Sequence, residues 1–264
     1  MDHSTTTAIV RSADIFSQST THQQQVPQAR PVTSSTPVRK YEVCYLTPQA
    51  EEREFSVHAR ALPSVESAFA ALGPNAIVQT RRGHLAVEDV WPGADIRLSD
   101  GSYERLLWRG KITLSPPKEA AEPALNPSKL TRIVSDTYGV NRPEGDLVLG
   151  PSARLLHRAP GIRRLKGSDR AFIPAAEFVD GNTILQITPT HPTPVYQFGF
   201  ATHCCMNVNG LDVESLHPGT AFDLGLRGAG LTAFLSLFPH KTSFEDFGLL
   251  AYPRLRLQDL ELLG

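Results

Sequence analysis

The sequence predicts an all-β domain of short strands and hairpins, entered through a flexible N-terminal arm and closed by a short helical C-terminal tail. Three observations carry this. Between residues 75 and 215, short β-branched and aliphatic runs alternate with Gly, Pro, Asp and Asn, the pattern of a turn-rich β fold. The first 40 residues hold 18 Ser, Thr or Gln. Finally, an apolar run with helical spacing appears only after residue 230.

Residues 1–40 form the arm: Pro27, Pro31 and Pro37 interrupt it, and its composition buries too little apolar surface to offset the entropy of ordering. It is expected to be flexible alone and to order only against a partner. Residues 41–68 are a lead-in. Residues 41–46 read as a strand and residues 54–59 as its hairpin mate, and residues 63–72 as one or two helical turns with Ser64 as the N-cap. The main β domain is placed at 69–219. Within it Asp100-Gly101 and Asn209-Gly210 sit between strand-like runs as hairpin turns. Residues 116–127, with four prolines, read as a loop.

The tail, 220–264, opens with an apolar helix over residues 231–238, stopped by Pro239; Leu231, Phe234, Leu235 and Phe238 share one face. Ser243-Phe244-Glu245-Asp246 reads as a capped turn. Leu255, Leu257, Leu260, Leu262 and Leu263 then require cover, from the chain's own domain or from another chain.

Composition excludes several classes of function. A net charge of −1, from 26 basic and 27 acidic residues, gives no global field to draw nucleic acid or an anionic membrane. The basic stretch with Arg163, Arg164 and Lys166 reads as an exposed loop. No apolar stretch approaches the roughly 18–20 residues that span a bilayer. Residues 1–10 lack the basic-then-apolar pattern of a secretory signal, so synthesis in the cytoplasm is expected. Cys44, Cys204 and Cys205 are too few for a disulfide framework and read as free thiols of a reducing compartment. His203-Cys204-Cys205 does not have zinc-ligand spacing, and neither a metal, a cofactor nor a small-molecule substrate is expected.

Five phrases occur in order between residues 68 and 219. They are Ile77-Val78-Gln79-Thr80-Arg81-Arg82-Gly83, Val87-Glu88-Asp89-Val90-Trp91-Pro92-Gly93 and Leu106-Leu107-Trp108-Arg109-Gly110, then Asp146-Leu147-Val148-Leu149-Gly150-Pro151, then His203 with Val208-Asn209-Gly210-Leu211-Asp212-Val213-Glu214-Ser215. In this order the chain resembles the bacterial Hint (Hedgehog/intein) domain family. That resemblance implies a horseshoe of short strands and an autoprocessing ancestry. It also says what belongs at each reactive position. The family's nucleophilic Cys or Ser falls on Ala71, and a methyl group cannot make the acyl shift. Its Thr-and-His tetrad falls on Gly150-Pro151-Ser152-Ala153, keeping the Pro and losing the Thr and His. A later His, on the last long strand, matches His203, and the terminal His-Asn is replaced by Glu214-Ser215.

The expectation is therefore a non-catalytic Hint-fold structural or adaptor protein. It would dock to itself or to a larger particle through residues 1–40 and 220–264; such relatives suggest an alphaproteobacterial setting and a phage-like particle. The alternative is an autoprocessing domain in which Ser64 or Ser67 cleaves the chain near Ala71. A hydrolase built from Ser152, His157 and Asp146 lacks an assembled nucleophile, base and oxyanion donors.

Overall fold

Hairpins organise the chain from its first described strand onward. The computed structural model describes residues 38–116, 129–163 and 167–261; residues 1–37, most of the expected proline-rich loop, Arg164, Lys166, Leu262 and Leu263 lie outside the described residues. Strands β1 (Val38–Leu46) and β2 (Glu52–Arg60) form the lead-in hairpin, with Val43 opposite Phe55. A four-residue helix, α1 (Pro63–Glu66), follows. Its N-cap is Leu62, not Ser64: Pro63, with φ already helical and no N–H to satisfy, takes the first position and moves Ser64 inside the turn.

The remaining strands are β3 (Ile77–Thr80), β4 (Gly83–Ala86), β5 (Asp95–Arg97), β6 (Tyr103–Arg105), β7 (Trp108–Leu114), β8 (Leu130–Ile133), β9 (Leu147–Leu149), β10 (Arg154–Arg158), β11 (Arg170–Pro174), β12 (Ile184–Ile187), β13 (Thr193–Gly199), β14 (Cys205–Val208) and β15 (Leu211–Glu214). They make three sheets, ordered β13-β7-β1-β2, β11-β10-β15-β14-β3-β5-β6 with β4 beside β3, and β12-β8-β9. The fold is all-β, as expected. Both turn dipeptides do what their residue types allow: Asp100-Gly101 joins β5 to β6, and Asn209-Gly210, with φ of 49° and 81°, joins β14 to β15.

Two apolar cores result. The first gathers Val78, Ile96, Leu147, Leu149, Met206, Val208 and Val213 inside the β domain. The second joins all three parts of the chain: Tyr41 and Val43 from β1, Phe69 after α1, Trp108 and Ile112 from β7, and Phe234, Leu237, Phe238 and Phe247 from the tail. Trp108 sits at its centre, fully buried, with its ring centroid 5.1 Å from Phe69 and 4.9 Å from Phe238. Its indole N–H donates to the Leu237 carbonyl oxygen at 2.8 Å.

Apolar residues of the tail find the cover they require in the chain's own domain. Helix α2 (Ala221–Leu224) is closed at its N-terminus by a Thr220–Asp223 capping box, and α3 (Ala229–Leu235) delivers Phe234 and Phe238 into the second core. The 3-10 turn Phe244–Phe247 forms where Ser243-Phe244-Glu245-Asp246 predicts it, and buries Phe247. Beyond it the chain runs beside β11, with the Phe172 N–H donating to Pro253 O and the Leu255 N–H to Phe172 O. Helix α4 (Leu257–Glu261) ends the described chain, its first N–H held by the Glu177 carboxylate. A fully buried Trp and Phe on the open face of the lead-in sheet need a lid, and the tail supplies it.

Candidate functional site

Residues 70–73 form a short extended segment gripped on both sides by backbone. On one side the Ala71 and Leu72 N–H groups donate to Tyr196 O of β13, at 3.0 and 2.8 Å, and the Tyr196 N–H returns to Leu72 O at 2.8 Å. On the other side the Gly150 N–H donates to Ala71 O at 2.8 Å, the Ser152 N–H to Ala70 O at 3.0 Å, and the Gly73 N–H to Val148 O at 3.0 Å. The fold therefore brings together Ala71 and the Gly150–Ala153 stretch, which lie far apart in sequence.

The grip leaves little space. Ala70 and Ala71 are each 1% exposed and Ala153 is 2% exposed. A Cβ placed on Gly150 would lie 2.2 Å from the Ala70 carbonyl oxygen, a backbone atom that cannot swing away. Only glycine permits this approach. Gly150, expected from the family resemblance at the Thr position, is the place where backbone closes on the 70–71 peptide. The N–H of Ser152 is aimed at the Ala70 carbonyl as one donor of an oxyanion hole would be, a role the sequence reading did not assign. Its hydroxyl is buried and finds no partner among the described residues. What is absent at 71 is an atom able to attack: the side chain is a methyl.

The alternative hydroxyls are turned elsewhere. The Ser67 hydroxyl donates to Ser64 O at 2.9 Å and is exposed, and Ser64 is half-exposed within α1. The hydrolase set is likewise not assembled: Asp146 accepts from Arg132 and from the Ser135 N–H, while His157 stacks against Phe178 with centroids 5.7 Å apart.

His203 belongs to a second cluster. It lies in the connection before β14 and not on a long strand, because the chain leaves β13 at Gly199 and turns before pairing again. Its Nδ1 accepts from the Ala251 N–H at 2.9 Å, which puts the ring proton on Nε2. Nε2 lies 3.2 Å from Glu214 Oε1, at an angle too bent for a good hydrogen bond. Glu214 also accepts from Arg254 Nε at 2.8 Å, with Arg154 3.7 Å away, and Arg254 donates to His217 O at 2.7 Å. Burial tends to raise the Glu214 pKa, but His203 and Arg254 together outweigh it and hold the carboxyl below its ordinary range. His217, ring-to-ring with His203 at 5.1 Å, is pushed down to about 4, first by burial. Ser215, 1% exposed, accepts from the Cys204 N–H at 2.9 Å. His203 and Glu214 thus fasten the tail to the β domain, and none of their hydrogen bonds reaches residues 70–73.

The cysteines are free, and burial pushes the Cys204 thiol up to about 12. Among the described residues no group of His, Cys, Asp and Glu is arranged to hold a metal, and no helix is long and apolar enough to cross a membrane.

A protein-family profile described as the Hint domain matches residues 70–220, more than half of the chain. The chain belongs to the Hint domain family. The match begins at the gripped segment and ends beyond β15, so the clamp around residues 70–73 and the Glu214 cluster both lie within the Hint region. Two solved structures give partial likenesses. One is the solution structure of a bacterial intein-like domain from Clostridium thermocellum, at 11% identity and a TM-score of 0.37, covering 56% of this chain and 99% of that one. The other is a splice-inactive variant of the AceL NrdHF class 3 split intein, at 10% identity with the same TM-score and coverage. No curated protein matches.

Proposed function

We propose that this Hint-fold protein no longer processes itself and acts as a non-catalytic structural or adaptor module within a larger assembly. The observation that supports the reading is the state of the 70–71 peptide. Position 71 carries no nucleophile, and the peptide before it is buried and pinned by backbone from both sides. An acyl shift needs a thiolate or hydroxyl within reach of the Ala70 carbonyl, and no other residue type replaces that atom. Docking falls to the N-terminal segment, residues 1–40, and to what the tail leaves uncovered, where Phe222 is 85% and Leu249 91% exposed. A phage-like particle is one assembly in which such a module would serve.

The test is the intact mass of the purified full chain after incubation with dithiothreitol. One species of 28.9 kDa is expected. Thiol-dependent release of residues 1–70 would overturn the proposal, because thiols intercept only an existing thioester or ester.

A further inference from the structure

Strand β2 stands at the edge of the sheet β13-β7-β1-β2, and among the described residues only β1 pairs with it. It is nine residues long, and seven of them are exposed, so among the described residues its outer row of N–H and C=O groups is open to another strand. Edge charges ordinarily keep copies of a protein apart. Here their order does the opposite. When β2 is laid antiparallel against an identical strand with Ser56 facing Ser56, Glu52 falls opposite Arg60 and Glu54 opposite His58, each twice by symmetry. Because side chains alternate, these four pairs share one face of the ribbon. On the other face Phe55 falls opposite Val57. Phe55 already packs edge-to-face on Tyr45 at 6.1 Å, and Val57 is 36% exposed. Shifting the register by one residue sets Glu54 against Ala59 or Val57 and loses both Glu52–Arg60 pairs. Among the described residues no ion pair occupies Glu52, Glu54 or Arg60, whereas neighbouring Arg53 is held by Glu51.

We infer that the outer edge of β2 pairs with the same strand of a second copy of this chain, antiparallel and centred on Ser56, joining two four-stranded sheets across a two-fold axis. The partner is self because the register that sets Ser56 on Ser56 pairs Glu52 with Arg60 at both ends of the ribbon and puts Glu54 within reach of a His58 ring N–H. The apolar row of Tyr41 and Val43 in β1 continues through Phe55 and Val57 into the second copy, so the pairing extends the face that the second core already uses.

Light scattering on the full chain tests this, with a mass twice 28.9 kDa expected at tens of micromolar. Glu52→Lys sets like charges opposite one another at two symmetric places and should weaken the dimer by about tenfold. Adding Arg60→Glu to that variant restores opposite signs and should restore the dimer. Ser56→Cys should crosslink to itself with a short bis-maleimide, while the wild-type chain, with Cys44 and Cys205 buried and Cys204 half-buried just before β14 of another sheet, is the control and should not. A chain that stays monomeric to about 1 mM overturns the inference. So does a dimer that ignores Glu52→Lys and gives no Ser56→Cys crosslink, since it would be held by another surface, such as residues 1–37.

Discussion

Truncating Phe238 to Ala decides whether the tail is a lid or a loosely tethered arm. The ring is fully buried, with centroids 4.8 Å from Phe234, 4.9 Å from Trp108, 5.4 Å from Phe247 and 5.9 Å from Phe69. Two of these neighbours, Phe234 and Phe247, come from the tail and two, Trp108 and Phe69, from the core beneath it, so removing the ring leaves a cavity that no single side chain can fill. Phe→Ala changes of this kind cost about 3–5 kcal/mol. For a domain of this size each kcal/mol moves Tm by roughly 2–4 °C, so a fall of about 6–20 °C is expected. Tryptophan emission supplies a second reading. The chain has two tryptophans; Trp108 is fully buried beneath the tail and Trp91 is 42% exposed. Loosening of the lid should therefore shift emission to the red through Trp108. Phe222→Ser, at a tail residue 85% exposed, is the control and should stay within about 0.5 kcal/mol of wild type. A Phe238→Ala chain that loses under about 1 kcal/mol, with unchanged emission, would refute the lid and return the tail to the role of a free docking surface.

Three further outcomes follow from particular contacts. Gly150→Ala should lower stability by about 1–3 kcal/mol, because its Cβ meets the Ala70 carbonyl; for the same lack of room, Ala71→Cys with Ala153→His should melt lower than wild type and remain one species in dithiothreitol, and a fragment ending at residue 70 would show that the cleft is retained. His240 is pushed down to about 3, chiefly by burial and then by Lys241, so below the unfolded histidine pKa near 6.5 the unfolded chain takes up a proton that the fold refuses. Stability should drain away as pH falls from about 6.5 toward 3, and His240→Phe should narrow the Tm difference between pH 7 and pH 5; an unchanged difference refutes the assignment. Deleting residues 1–37 should leave Tm within about 2 °C, whereas deleting residues 1–40 should lower it further, because β1 begins at Val38 and Arg39 bonds Glu66 and Thr113 O; equal losses would move the domain boundary.

The parts of this fold legible in sequence are those whose cause is local. Asp100-Gly101 and Asn209-Gly210 specify their hairpins through their own backbone preferences, and the turn after Ser243 forms because Asp246 accepts from the N–H groups at 242 and 243. The lid was not legible. An apolar helical face has the same pattern whether it covers its own core or a partner's. The deciding contact here, from Trp108 to Leu237 O, spans 129 residues of chain. His203 was misplaced for a related reason: an alternating run suggests a strand, but strand pairing depends on a neighbour, and β14 starts only at Cys205.

The candidate site shows the same division at finer scale. Residue identity alone says that positions 71, 150 and 153 hold no nucleophile, hydroxyl or imidazole, and that much is chemistry readable from the chain. Identity does not say why glycine stands at 150. Absence of a Thr and presence of a close backbone approach look alike in sequence, because glycine records only that no side chain is there. The structure separates them through the Ala70 carbonyl, which occupies the place a Cβ would take. The two cases predict different behaviour. A site that had merely lost its reactive groups would accept them back with little penalty, while a site that has closed over the peptide must first be reopened. The buried Ser152 hydroxyl lies beside the N–H that holds Ala70 O and has no partner among the described residues, so this is the point of the closed segment with a polar group left unsatisfied.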